Sequence, residues 1–275
     1  MPATFVVIPE WQGSGSSRAM RLIDGAEAIR GDLPSTATRQ VEVPAGAGES
    51  LETGVHRFSS VTAVADAAAA VLGEVTGLPV VIGGDCGVEF AAIRHAVQRS
   101  TGPVAVVWFD AHADLNTPDS SPSGAFHGMV LRTLLGGGPE QLAPEPMLDP
   151  GLVVLAGTRA LDDAEADYAE EAGIALLSPD RFDTADAVIL ALRDTGATEV
   201  YLHVDLDVLD PSEIDGVAFP EPFGVTTAQL TAAIRAIREE FTLVGAGITE
   251  FAPSTPDAAV EDLPTILRIV SALVR

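Results

Sequence analysis

The chain is expected to fold as an α/β protein: three α/β/α layers around a mostly parallel sheet of about eight strands. Three observations lead there. Eight short apolar, β-branched runs recur along the chain. Stretches with helical periodicity separate most of them. Residues able to do chemistry fall just after five of the runs. Strands buried on both faces read as continuous apolar runs, and their alternation with helices marks a parallel sheet covered on both sides. Ligands collect at the carboxyl ends of such strands.

The first run is Phe5–Pro9; its leader, from Met1, lacks the basic stretch of a signal peptide. Gln12-Gly-Ser-Gly-Ser-Ser-Arg18 follows and precedes a helix. It has neither Gly-Lys-Ser/Thr nor dinucleotide spacing, so a flexible rim loop is expected in place of a phosphate loop. Gln40–Pro44 is the second run, Ala45–Glu52 a surface loop and Val61–Glu74 a helix. Pro79–Ile82 ends on Gly83-Gly-Asp-Cys86, and Glu89–Gln98 is helical. Val104–Phe109 leads into Asp110–Asp114. Gly136–Pro150 reads as a surface loop, and Leu152–Ala156 precedes Arg159 and Asp162. Ile174–Leu177, a helix over Asp180–Arg193, Val200–Leu206 and a helix over Ala228–Glu240 come next. Leu243–Ile248 precedes Glu250, and Ala258–Val274 is the last helix. No linker or repeat interrupts the chain, so residues 1–275 are read as a single domain.

Of the 275 residues, 47% are hydrophobic, enough for a large core. No run of eighteen apolar residues is present, so no membrane span is expected. A lone cysteine excludes an internal disulfide and fits a reducing, cytoplasmic setting. Forty acids against fifteen bases leave a net charge of −25. Such a surface repels nucleic acid and anionic membranes and attracts a cationic substrate, although a genome-wide or salt-adapted acidic bias produces the same excess. Every Lys+Arg residue is arginine. That excludes a lysine Schiff base and a Walker A lysine.

Asp110, His112 and Asp114 stand at alternate positions, as do Asp205 and Asp207. On a strand such residues point the same way. Carboxylates gathered beside a core repel one another and lose hydration, which costs several kcal/mol per ion. Bound cations relieve both, and carboxylate with some imidazole suits divalent metals such as manganese. Two ions roughly 3.5–4 Å apart can share one activated water. The residues therefore point to a metallohydrolase. Asp210, followed by Pro211, reads as a turn residue.

The chain resembles the ureohydrolases, the family of arginase and agmatinase, and is nearest to arginase. The resemblance rests on Gly83-Gly-Asp-Cys86, Asp110-Ala-His-Ala-Asp114, Ser123-Gly-Ala-Phe-His-Gly128, Asp205-Leu-Asp-Val-Leu-Asp-Pro211 and Gly247-Ile-Thr-Glu250, in that order. It implies two manganese ions. Asp110 and Asp205 would bridge them, Asp114 would hold the first ion, and His112 and Asp207 the second. Cys86 departs from the family pattern, which has a histidine ligand there. If Cys86 ligates, its thiolate makes the site more negative and shifts preference towards cobalt, iron or zinc. By the same resemblance His127 shuttles protons, Glu250 pairs with the substrate guanidinium, and Asp114 orients the water. Asn116 and Ser123 would meet a substrate α-carboxylate, and Asp162 and Glu165 the α-ammonium side; Ala125 replaces a polar residue usual in arginases. Asp162 and Glu165 serve equally well as helix N-terminal acids. His203 is expected to support the ligands or the core, not to ligate. His56 and His95 receive no function.

The implied activity is hydrolysis of a linear guanidino compound, foremost L-arginine to L-ornithine and urea. Cleavage of Nω-hydroxy-L-arginine stays open because related hydrolases also carry cysteine at this position. Another guanidino acid or agmatine is a further substrate; agmatine has no carboxylate for Asn116 and Ser123. A single-metal amide hydrolase resembling histone deacetylases and a catalytically impaired binding homologue are the remaining readings. Trimers or hexamers are expected by resemblance.

Overall fold

A computed structural model gives the fold and describes residues 2–181 and 184–275. Eight strands form one sheet: β1 (Ala3–Ile8), β2 (Thr38–Gln40), β3 (Leu78–Gly83), β4 (Val104–Phe109), β5 (Val153–Ala156), β6 (Ala175–Leu177), β7 (Glu199–Asp205) and β8 (Thr242–Thr249). Their order is β2-β1-β3-β8-β7-β4-β5-β6. Every neighbouring pair is parallel. The helices are α1 (Arg21–Gly31), α2 (Phe58–Gly73), α3 (Glu89–Arg99), α4 (Val130–Leu134), α5 (Asp163–Ala172), α6 (Asp186–Thr195), α7 (Thr227–Glu240) and α8 (Pro256–Val274).

Strand order explains where the site lies. After β3 the chain crosses to β4, leaving a gap that β8 and β7 later fill. The central strands β3, β8, β7 and β4 thus carry loops drawn from distant parts of the sequence to one edge. Alternation along the strands divides the core. Ala105, Val107 and Phe109 of β4 pack on the side of α1, α6, α7 and α8. Val104, Val106 and Trp108 pack on the side of α2, α3, α4 and α5. Trp108 pairs in register with His203, and His203 with Gly247.

Four expectations are corrected. The second strand is Thr38–Gln40, ahead of the run Gln40–Pro44. It is a short, polar, mostly exposed edge strand; Val41 turns into the core just after it. Helix α6 starts at Asp186, later than Asp180; residues 182 and 183 of that stretch lie outside the described residues. The loop through Gln12 is pinned in place. Gly13 donates to Asp85 Oδ2 at 2.9 Å, Gln12 Nε2 to the Pro44 carbonyl at 2.7 Å, and Arg57 to the Ser14 carbonyl at 2.8 Å. Lastly, β4 ends at Phe109, so Asp110, His112 and Asp114 sit in the following loop and converge through turns, not through strand pleat.

Helix α1 crosses the loop after β8 at Gly25, where a Cβ would lie 1.8 Å from the Phe251 carbonyl oxygen. Gly25→Ala is therefore expected to destabilise the protein by roughly 1–3 kcal/mol through overpacking. A thermal melt showing an unchanged midpoint would count against this packing.

Candidate metal centre

The strand ends bring Cys86, Asp110, His112, Asp114, Asp205, Asp207 and Glu250 together. Three sets of donor atoms lie within 4.8 Å of one another: Cys86, Asp110, Asp114 and His203; Cys86, Asp205 and Glu250; and Asp110, His112 and Asp207. Local turns aim them. Asp110 Oδ1 accepts the His112 N–H at 2.7 Å, and Asp205 Oδ1 accepts the Asp207 N–H at 2.8 Å. Trp108 Nε1 donates to Asp110 Oδ2 at 3.0 Å. Asp207 Oδ1 accepts the Ala111 N–H at 3.0 Å, and its Oδ2 stands 3.0 Å from His112 Nδ1. Asp114 and Glu250 both hold left-handed backbone, φ 52° and 65°. Non-glycine residues adopt it at a cost, and such strain clusters where function requires a side-chain direction.

The electrostatics fit a cation cage. All five carboxylates are at least 95% buried. Burial, then Asp207 and Asp110, push the Asp205 carboxyl well above its usual range. Burial and then Asp110 do the same to Asp114. Asp207 is pushed up to about 6 by burial and then by Asp110. Burial opposes ionisation of Asp110 too, but the neighbouring imidazoles of His112 and His203 override it and hold this carboxyl far below the usual range. Burial first, then Asp205 and Asp114, raises the Cys86 thiol. Among the described residues, Asp114 Oδ2 and Glu250 Oε2 are buried without a hydrogen-bond partner. Orphaned acceptors among mutually repelling acids are what divalent cations would satisfy.

The cage opens into a cavity of about 390 Å³, of the size that holds small ligands. His127, Glu250, Asp114, Asn116, Ser123, Asp162 and Glu165 line it, with an apolar wall including Leu161, Pro122 and Phe219. Among the described residues, no arginine lines it. His127 Nδ1 stands 3.3 Å from Glu250 Oε1. Burial lowers the affinity of His127 for a proton, but its bond to Glu250 outweighs this and raises its pKa. Glu165 spends both oxygens on backbone, accepting from Leu115 and Asp162 N–H at 3.0 and 3.1 Å in a capping box at α5. Asp162 Oδ2 accepts from Asn116 Nδ2 at 2.8 Å.

Other residues hold the frame. Arg159 binds the carbonyls of Asp207 and Glu221 and clamps the loop after β7. Asp210 caps a surface turn, as its proline neighbour suggests. His95 contacts Arg99, and His56 packs against Gly124. Sequence reasoning gave no role to Asp85, Glu89 or Trp108. Asp85 is fully buried and ties the Gly13 loop to the Cys86 turn through the Gly13 and Gly87 N–H groups. Its place beside Cys86 in the Gly-Gly-Asp motif was the available signal.

Comparison with known proteins agrees with this geometry. The family model described as "Arginase family" matches residues 16–263. The chain belongs to the arginase family. It is a hydrolase acting on guanidino C–N bonds. An arginase of Bacillus caldovelox is 31% identical over 88% of this chain and 84% of its own. An N(omega)-hydroxy-L-arginine amidinohydrolase of Streptomyces lavendulae is 32% identical, over 70% of this chain and 68% of its own. The crystal structure of an arginase from Bacillus subtilis superposes with a TM-score of 0.85 at 26% identity, covering 100% of this chain and 98% of that one. The arginase-like α/β sheet expected from the sequence is the fold observed. No helix among the described residues is long and apolar enough to cross a membrane.

Proposed function

We propose that the chain hydrolyses L-arginine to L-ornithine and urea at two divalent metal ions: manganese by family resemblance, with cobalt, iron or zinc favoured at the position Cys86 ligates. The observation that carries this reading is the junction of two features in one cavity: a carboxylate cage at the floor, and Asn116, Ser123 and Asp162 at its wall. Cys86, Asp110, Asp114 and Asp205 would hold one ion, and Asp110, His112, Asp205 and Asp207 the other. When bound, such ions polarise a water so that it can act as a nucleophile at neutral pH.

The protein's own groups do the rest. Glu250 Oε2 has no hydrogen-bond partner among the described residues, so that oxygen pairs with the guanidinium. Asp114 Oδ2 orients the water that attacks the guanidinium carbon. Protonated His127 presents Nδ1 to Glu250 and delivers its other proton to the departing amine as the C–N bond breaks. Asn116 and Ser123 donate to the α-carboxylate. The α-ammonium falls to Asp162, which is half-buried and gives one oxygen to a backbone N–H and the other to the Asn116 amide, whereas Glu165 is buried with both oxygens on backbone N–H groups.

His127→Asn is expected to lower kcat by about 10²–10⁴-fold, the usual worth of a general acid, while metal content stays unchanged. Steady-state kinetics beside metal analysis would check this; loss of both together would point to a ligand role instead. The second reading is Nω-hydroxy-L-arginine, favoured by Cys86 and by the Streptomyces relative. The metal-loaded enzyme should be offered both compounds and agmatine. The highest kcat/KM for arginine supports the first reading; preference for the hydroxylated compound replaces it, and no urea-type product from any would reject guanidino hydrolysis.

A further inference from the structure

We propose that His203 supplies an imidazole ligand at the inner metal position, the one that Cys86, Asp110, Asp114 and Asp205 would hold, giving a cage of sulfur, nitrogen and oxygen donors. The inference rests on the metal-centre reading. The imidazole that the family resemblance expects at position 86 is thereby relocated from the β3 loop to strand β7.

Distances support a shared ion. Donor atoms that share one ion at bonds of about 2.0–2.3 Å stand roughly 3–4 Å apart. His203 Nε2 lies 3.6 Å from Asp110 Oδ2 and 3.8 Å from Cys86 Sγ. The first contact is too long for an N–H···O hydrogen bond. Cys86, Asp110, Asp114 and His203 are all buried.

The ring is held for this task. It stacks on Trp108 with centroids 3.7 Å apart, and the same indole fixes Asp110 through its N–H. The other ring nitrogen, Nδ1, faces Glu89 Oε2 at 3.9 Å. Glu89 is fully buried, and neither of its oxygens has a hydrogen-bond partner among the described residues. A metal-bound histidine ordinarily presents its second N–H to such a carboxylate, which fixes ring direction. Strand β8 makes room for it: a Cβ at Gly247, the register partner of His203, would lie 1.6 Å from Glu89 Oε1. A thiolate and a buried imidazole together favour Co2+, Zn2+ or Fe2+ over Mn2+ at this position. The rival arrangement is a structural imidazolium between Glu89 and Asp110.

The test is proton NMR of the whole protein loaded with two equivalents of Co2+. A coordinated imidazole shows a far-shifted, exchangeable N–H resonance. The proposal expects one that exchanges slowly, because His203 is buried; it survives His112→Asn and is lost in His203→Asn. Glu89→Gln, which leaves every ligand in place, should weaken Co2+ binding by about 10–100-fold. Two bound Co2+ ions without a slowly exchanging shifted imidazole overturn the proposal and leave the metal centre standing. Wild type that takes up no Co2+ in equilibrium dialysis instead rejects the metal centre itself. Should His203→Asn fail to fold, wild type and His112→Asn still decide.

Discussion

Asp205→Asn is expected to abolish turnover and, at the same time, to make the metal-free protein more stable. Asp205 contacts both sides of the cage. Its Oδ1 fixes the Asp207 turn, and its Oδ2 lies 3.2 Å from the Cys86 thiol. Asparagine keeps the shape and the acceptor but removes the charge. Weakening ion binding removes several kcal/mol of transition-state stabilisation, and roughly 4 kcal/mol corresponds to about a thousandfold in rate. Without ions the arithmetic reverses. Two charges 4 Å apart at an effective dielectric of 20 repel by roughly 4 kcal/mol, of which relaxation and partial protonation leave about 1–2 kcal/mol. At about 2–4 °C per kcal/mol, the chelated variant should melt roughly 2–8 °C above chelated wild type at pH 8. A chelated variant less stable than its parent, or one that still releases urea at the parent rate, would contradict the charge argument.

Chelation should also invert the usual pH dependence of stability. Asp207 and Asp85 have folded-state values pushed up to about 6, chiefly by burial, and Asp205 and Asp114 are raised as well. Between about pH 4 and 6 the folded state therefore binds more protons than the unfolded chain. Stability then falls as pH rises through this window. Histidines reinforce the trend. His112 and His127 are raised by their carboxylate partners, so their contribution is full below the unfolded histidine value and is lost as pH climbs through the folded one. Asp110, depressed, acts in the opposite sense, but only below about pH 4. The chelated protein should thus lose a few kcal/mol between pH 5 and pH 7, since a tenfold difference in proton affinity between folded and unfolded states is worth about 1.36 kcal/mol. The metal-loaded protein should do the reverse, because ions need the ionised groups and acid releases them. Thermal melts across pH 5–7, with and without chelator, would show crossing lines; parallel lines would refute the cage.

Much of this was legible in the sequence because the central strands are buried on both faces. Val104–Phe109 and Val200–Asp205 are almost wholly apolar until the acids begin, so strand and site are written in one pattern. Weaker elements lacked that signal. Strand β2 is Thr-Arg-Gln at an exposed edge. Helix α1 carries Gly25 in its middle, a residue that disfavours helix and is there for close packing. Helix α5 buries little beyond Glu165 and Ala169, so its periodicity is faint. At the site, spacing placed Asp110, His112, Asp205 and Asp207 at two strand ends. It did not show that Cys86 meets His203, or that Glu89 meets the same ring, because those contacts depend on strand order and register. The α-amino side illustrates a further limit. Sequence offers Asp162 and Glu165 alike; only the structure shows that Glu165 is buried with both oxygens on backbone N–H groups, while half-buried Asp162 shares its oxygens between a backbone N–H and the Asn116 amide.

Anomalous scattering from crystals grown with excess manganese would test the central claim most directly. Two ions should appear in the cage at the ends of β3, β4, β7 and β8, within bonding distance of Asp110, Asp205 and their neighbours. A well-ordered map with the cage vacant, or with a single ion, would contradict the assignment of these carboxylates as a two-metal centre.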